Sequence, residues 1–271
     1  MKPAICCIFL LIFFSCSSPK KPESVDFKVH FQAGKTYAIS TIRGSETVIN
    51  YSGEDFAMRK LKSMRVQNPT TSSIRTKTDT ELDVDENSVE LSYKKTMSLD
   101  GKSQVPEGTV VEGILGAQGL PVFSTVVSSD LSIDQRIKLL QTIQNTFDQL
   151  RFPEKQMKPG DTISVTQIQS MTIEGSEVET RIVTTAKLLS FDESTAQFAL
   201  TQSYEMTPKL LDNSFSGTGN GTGKMSYDLA NQFISEYAVQ SEIDINKKLD
   251  YFGFDLKNKS EFAQQTQLIT K

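Results

Sequence analysis

Cysteine, histidine and tryptophan are scarce or missing in this chain, and each shortage removes a class of chemistry. The three cysteines, Cys6, Cys7 and Cys16, all lie at the N-terminus, and the body beyond residue 16 has none. A disulfide framework is therefore excluded, even in a compartment that would permit one. The single histidine, His30, argues against a histidine-rich metal site and against a nucleophile activated by a His-based triad. Basic residues form no block of five. With Lys2 set aside, 28 Lys and Arg face 33 Asp and Glu. Nucleic-acid binding needs a basic footprint that this balance does not supply. Apolar residues are also few, 37% of 271, against roughly 45–50% in ordinary globular chains when glycine is counted too. So thin a supply suits an antiparallel sheet with one wet face better than a parallel sheet wrapped in helices. The length allows one large domain or two small ones, and needs neither metal nor disulfide to bury a core.

The N-terminus takes a large share of the apolar residues, 12 of the first 15. Lys2, the run from Ala4 to Phe14, and the small Ser15 read as a secretory signal over residues 1–15. The run is too short to span a bilayer comfortably. Ser15-Cys16 resembles the end of a bacterial lipobox, with Phe13 standing where Leu is common. The resemblance implies acylation of Cys16, with palmitate-type chains as the membrane anchor. Each buried methylene would contribute about 0.8 kcal/mol to anchoring. Residues 16–24 then read as a polar, proline-bearing tether. Ser17 to Lys21 lacks the acidic patch that directs similar lipoproteins to the cell surface. The expected location is the periplasmic leaflet of the bacterial outer membrane.

From residue 25 the dominant period is two. Val25, Phe27, Val29 and Phe31 share one side, and His30 falls on the exposed side. Gly34-Lys35 turns the chain into a strand from Thr36 to Ile42. The stretch from Arg43 to Asn68 is poorly patterned, with Phe56, Met58, Leu61 and Met64 as its candidate packing residues. A long hairpin follows, Thr76 to Val84 and Val89 to Leu99, with Leu91 and Tyr93 on its apolar side. The break at Lys95 marks a bulge or an edge, and Asp100-Gly101 a turn. Thr109 to Phe123 reads as short bent strands. Ser132 and Gln135 then form a capping box for a helix over about 132–150, whose stripe is Ile133, Ile137, Leu140, Ile143, Phe147 and Leu150. Strands resume at Thr162, with Phe198, Leu200 and Tyr237 among their inward residues. The predicted fold is mainly β: a large curved antiparallel sheet or half-barrel with one principal amphipathic helix. Residues 25–271 read as a single domain, with a loose duplication of 25–130 in 159–247 as one possibility and shared hairpin grammar as the other.

Three motifs carry chemistry in principle. Asp83-Val84-Asp85-Glu86-Asn87 begins like a calcium loop, but Ser88 replaces the required glycine and Lys94 the final glutamate, so it reads as a solvated turn. Gly217, Gly219, Gly221 and Gly223 repeat every second residue without a nucleotide-loop spacing. They read as a closely packed strand, a loop or a ligand-contacting surface. Glu177 and Glu179 share a strand face, which leaves a hydrolase as a minor alternative. No catalytic constellation, metal set or cofactor motif is found. An incompletely filled space between sheet and helix would suit an acyl chain. Its candidate lining is Ile133, Ile137, Leu140, Ile143, Phe147, Leu91, Tyr93, Phe198, Leu200 and Tyr237. The same residues could equally be ordinary core.

The Cys16 lipobox, Gly34-Lys35-Thr36-Tyr37, the helix, the stretch from Phe152 to Thr162 and Gly219-x-Gly221-x-Gly223-Lys224-Met225-Ser226-Tyr227-Asp228-Leu229 resemble an uncharacterised lipoprotein family of Bacteroidota, over most of residues 25–247. Phe152 and Ile163 depart from the Leu and Trp of its central motif. A broader, architectural resemblance is to periplasmic half-barrels that bind lipids or lipoproteins. The expected function is a membrane-tethered, non-enzymatic protein that binds an apolar ligand or an envelope partner. The alternative is a structural or assembly protein without a small-molecule site. Intact mass of membrane-extracted protein tests the anchor: acylation at Cys16 is expected, and an unmodified Cys16 would overturn it.

Overall fold

The computed structural model describes residues 23–98, 105–128, 130–173, 176–208, 215–248 and 250–269. The signal segment, Cys16, most of the tether and the Asp100-Gly101 turn lie outside them. In chain order the elements are β1 (Val25–Phe27), β2 (Lys35–Gly53), α1 (Asp55–Ser63), β3 (Thr70–Val84), β4 (Val89–Ser98), β5 (Val110–Leu115), β6 (Pro121–Val127) and α2 (Ile133–Asp148). They continue with β7 (Lys155–Met157), β8 (Thr162–Ile173), β9 (Ser176–Phe191), β10 (Thr195–Pro208), β11 (Phe215–Asp228), β12 (Phe233–Lys248) and β13 (Phe252–Ile269). β1 and β7 form a small antiparallel pair, and the other eleven strands form one sheet in the order β6-β5-β4-β3-β2-β13-β12-β11-β10-β9-β8. Two meanders, β2 to β6 and β8 to β12, are joined by the last strand, β13, which pairs with β2 on one side and β12 on the other.

The mainly-β expectation holds, but the curved sheet or half-barrel is corrected. The structure is an open eleven-stranded antiparallel sheet with two short helices, neither curled nor closed into a barrel. Closure requires the edge strands to hydrogen-bond in a staggered register. Here β6 pairs only with β5, and β8 only with β9. The second helix, α1, occupies the poorly patterned stretch and buries none of its residues. Phe56 and Met64, expected to pack, are 53% and 64% exposed.

Alternation places the core. Tyr37 and Ile39 on β2, Leu82 on β3, Leu91 on β4, and Phe198 and Leu200 on β10 are all buried on one side of the sheet. Their intervening neighbours are mostly polar, as a half-solvated sheet requires. The segment after β1 lies over that side. It satisfies its backbone groups against distant partners: His30 N donates to Gln232 O at 2.7 Å, Phe31 N to Gly119 O at 2.8 Å, and Gln32 N to Tyr37 Oη at 2.9 Å. Tyr227 Oη donates to Lys28 O at 2.6 Å. Phe27 sits among Phe152, Phe198 and Tyr227, with ring centroids 4.9–5.9 Å away. His30 is half-buried against Gly119, not exposed as expected, and its Nδ1 has no hydrogen-bond partner.

The glycine series resolves as strand β11. A Cβ at Gly223 would lie 2.0 Å from Ala238 O, and one at Gly219 2.6 Å from Glu242 O. The bare positions let β12 approach, so close strand packing is the reading that stands. A smaller core of Val178, Met206, Phe215, Ile245 and Phe254 forms separately from the main one.

Phe27→Ala should lower the unfolding free energy in urea by about 3–5 kcal/mol, because a fully buried aromatic leaves a cavity. Gly223→Ala should cost more than Gly34→Ala. At Gly34 an added Cβ meets nothing within 4 Å, and the penalty is the strain of a positive φ, about 1–2 kcal/mol.

Candidate functional site

Helix α2 is fixed at its start by the predicted capping box: Ser132 N donates to Gln135 Oε1 at 2.8 Å, and Gln135 N to Ser132 Oγ at 3.3 Å. Its buried residues are Ile143, Thr146 and Phe147. Between α2 and the covered sides of β2, β3 and β4 lies a cavity of about 560 Å³. Its apolar walls come from Ile39, Leu91, Tyr93, Leu139, Ile143 and Phe147. Threonine is the other theme: Thr41, Thr76, Thr78, Thr80, Thr96, Thr142 and Thr146 all border it. Neither aspartate nor glutamate lines this space, whereas Arg43 and the exposed Lys138 do.

Arg43 continues the inward series Tyr37, Ile39, Thr41 on β2. Its Nη2 donates to Thr146 Oγ1, which itself donates to Thr142 O at 2.7 Å, so the guanidinium ties β2 to α2. The ring of Phe262, opposite it on β13, has its centroid 5.1 Å from the guanidinium carbon. No carboxylate among the described residues pairs with it. Burial lowers the Arg43 pKa from its ordinary value, and Tyr93 opposes that shift. Arginine stays charged through such shifts because its pKa starts so high. Tyr93 is pushed up to about 12, chiefly by burial, with the Arg43 charge acting the other way. Thr96 Oγ1, on the same wall, is buried without a hydrogen-bond partner.

Arg43 and Phe262 also border a second space of about 240 Å³, lined by polar groups from β8, β10, β12 and β13. Most of these satisfy one another. Gln202 Nε2 donates to Thr184 Oγ1 at 2.9 Å and to Tyr237 Oη at 3.2 Å, while Tyr204 Oη donates to Gln202 Oε1 at 2.5 Å. Ser241 and Ser260 share a hydrogen bond of 2.7 Å. Gln167 Oε1 is the buried exception. Glu261 on its rim is held by Arg75 Nε at 2.9 Å.

Of the residues expected to line an apolar space, Leu91, Tyr93, Ile143 and Phe147 are brought together around the larger cavity. Leu140 packs against the core without lining it, and Phe198, Leu200 and Tyr237 are core residues elsewhere along the sheet. Ile133 and Ile137 are 74% and 51% exposed. The helix buries the face centred on Ile143 and Phe147, and its first turns stand clear. Arg43, Phe262 and the threonines were not anticipated. Extending the two-residue period past Ile42 would have put Arg43 on the covered side. Phe262, some 219 residues away in sequence, has no local signal at all.

A larger depression of about 840 Å³ lies over the exposed Thr218, Asn220 and Thr222 of β11. Its rim includes Arg75 with Glu261, and Lys259 with Glu242 at 3.0 Å. Exposed pairs of this kind are screened by water and contribute little, and the depression is a solvated surface. Among the described residues no three His, Cys, Asp or Glu side chains are grouped as a metal would require. No helix among them is long and apolar enough to cross a membrane, which says nothing of a β-barrel.

No family model and no curated protein matches the chain. Among solved structures it is similar to Ail, the attachment invasion locus protein of Yersinia pestis, at 6% identity and a TM-score of 0.18, over 85% of this chain and 98% of that one. It is also similar to OccK11 (OpdR) of Pseudomonas aeruginosa, at 6% identity and a TM-score of 0.22, over 90% and 99% of the two chains. OccAB4 of Acinetobacter baumannii gives 8% identity and a TM-score of 0.22, over 88% and 99%. Similarity at these TM-scores supports no conclusion about function.

The buried tyrosines make stability sensitive to alkali. Burial also raises Tyr227 to about 12, with its hydrogen bond to Lys28 opposing. The unfolded chain releases these phenolic protons near pH 10 and the folded chain only near 12, so stability is flat below pH 10 and falls between the two. Each tyrosine should contribute a slope of up to about 1.4 kcal/mol per pH unit. Urea unfolding from pH 9 to 11.5 should show this decline, and Tyr93→Phe should make it shallower.

Proposed function

We propose that this protein is an envelope lipoprotein that holds an apolar chain between α2 and the sheet. The carrying observation is the cavity of about 560 Å³ walled by Ile39, Leu91, Tyr93, Ile143 and Phe147. Small-molecule sites commonly occupy about 300–1,000 Å³, with mostly apolar walls and a few placed polar groups. Acidic, histidine and cysteine side chains, the usual acid–base and nucleophilic groups, do not line it. Binding without chemistry is the role such a lining supports. In the same reading Cys16 carries the acyl anchor, residues 16–24 are the tether, and the domain hangs from the periplasmic leaflet of the outer membrane.

Native mass spectrometry of gently purified protein should reveal a co-purifying amphiphile, or uptake of an offered one such as dodecanoate. Thr78→Trp places an indole in the cavity and should weaken uptake roughly tenfold or more, the loss of one well-made apolar contact region, while the unfolding midpoint changes little. Ligand-free protein that takes up no offered amphiphile would overturn the reading.

A further inference from the structure

We propose that the occupant of the α2 cavity is an anionic amphiphile, a carboxylate or phosphate monoester on a hydrocarbon chain, and that Arg43 receives its head. This rests on the binding function proposed above and adds the chemical class of the ligand.

The argument begins with the cost of an uncompensated charge. A guanidinium carries five N–H donors and keeps its charge at any pH a cell meets. Withdrawn from water, it needs a counter-charge or a full set of acceptors. Arg43 has Thr146 Oγ1 as acceptor and the Phe262 ring behind it, and no carboxylate among the described residues. That arrangement is out of character for a chain with 33 acidic residues and only 29 basic ones. Three exposed cations do find carboxylates, Arg75 with Glu261, Lys94 with Glu81 and Lys224 with Glu236, at 2.8–2.9 Å.

The cavity beside Arg43 has the matching asymmetry. Its walls can present several donors to an anion: the guanidinium of Arg43, the Tyr93 phenol, the partnerless hydroxyl of Thr96 and, at an exposed position, Lys138. Carboxylates are absent from the lining. The rest of the wall is hydrocarbon from Ile39, Leu91, Ile143 and Phe147. A neutral chain would fill the apolar part and leave the guanidinium and Thr96 uncompensated. A compact anion with several acceptor oxygens supplies both the counter-charge and the missing acceptors, and charge-assisted hydrogen bonds of this type are the strong ones. The guanidinium carbon lies 5.1 Å from the Phe262 ring centroid, and its planar fork of N–H donors suits a carboxylate or phosphate.

Arg43 also fastens α2 to β2, so loss of stability alone would not identify its role. The decisive readout is the preference between anionic and neutral chains of equal length. The protein carrying Cys16→Ser, so that no acyl chain of its own competes, is delipidated and titrated with dodecanoate, dodecyl phosphate and dodecanol. At least one anion should bind about tenfold or more tightly than dodecanol, the scale of one charge-assisted hydrogen bond. Whichever anion leads identifies the head as carboxylate or phosphate. Arg43→Gln should lower the anion affinities more than the dodecanol affinity, so that the preference is lost, and Arg43→Lys should restore part of it. Should Arg43→Gln fail to fold, the wild-type preference together with a weakened anion affinity in Thr96→Val decides the question. Equal binding of all three probes overturns the anionic head and leaves chain binding standing. A preference that survives Arg43→Gln overturns the assignment to Arg43. Binding of none of the three removes the proposed function itself.

Discussion

Register is the constraint on which the rest of the structure depends. In β2, Tyr37 stands opposite Leu82 of β3 and Leu268 of β13, and Arg43 opposite Thr76 and Phe262. Side chains alternate with a period of two, so one such pairing determines which residues of all three strands face the covered side. The same ladder carries on through Tyr237, Met225, Phe198 and Leu188, each opposite the next from β12 to β9. A slip of one residue would turn Tyr37, Ile39 and Arg43 out to water together. Bulges at Asp79/Thr80, Gln197/Phe198 and Ser226/Tyr227 absorb the local mismatches without losing that common side.

A covered side needs a cover, and the chain supplies a short one. The sixteen residues of α2 span about 24 Å at 1.5 Å per residue. The nineteen residues of β2 run to about 63 Å at 3.3 Å per residue. The helix, the segment following β1 and the β1–β7 pair can dry only part of such strands. Composition along β2 follows this limit. Tyr37 and Ile39 are fully buried, then come Thr41, Arg43, Ser45 and Thr47, and apolar residues return at Ile49 and Tyr51 beside the smaller core. The cavity lies where the main core gives way to this polar middle zone, which explains why one wall is hydrocarbon and another is threonine and arginine.

The legible part of this architecture was the part with local periodicity. Val25 to Phe31, the hairpin through Leu91 and Tyr93, and the capping box at Ser132 follow from short-range rules, and the structure agrees with them. Two failures have different causes. The β2 strand continues to Gly53 through Arg43, Glu46 and Asn50 because neighbours on both sides supply its hydrogen bonds, so a weak apolar pattern concealed a long central strand. The helix stripe was misaligned because Ile133 and Ile137 satisfy the 3.6-residue period as well as Ile143 and Phe147 do. Which part of a stripe is covered depends on where the helix lands. Sheet closure was equally beyond local reading, since it turns on whether β6 meets β8, and no residue in either strand encodes that alone.

The two spaces that share Arg43 differ in a way that bears on function. Around the smaller one, Gln202, Thr184, Tyr237, Tyr204, Ser241 and Ser260 have found one another, and the charge of Glu261 is matched by Arg75. Such a network rigidifies the sheet, with Gln167 Oε1 its one buried atom left without a partner. In the larger space Arg43 has no carboxylate partner among the described residues, and Thr96 Oγ1 is buried without a hydrogen bond beside apolar walls. Desolvation of the guanidinium is offset in part by Thr146 and the Phe262 ring, and a partner bringing negative charge would offset it further. In the proposed reading, the guanidinium without a counter-charge among the described residues is the group that selects an anionic chain.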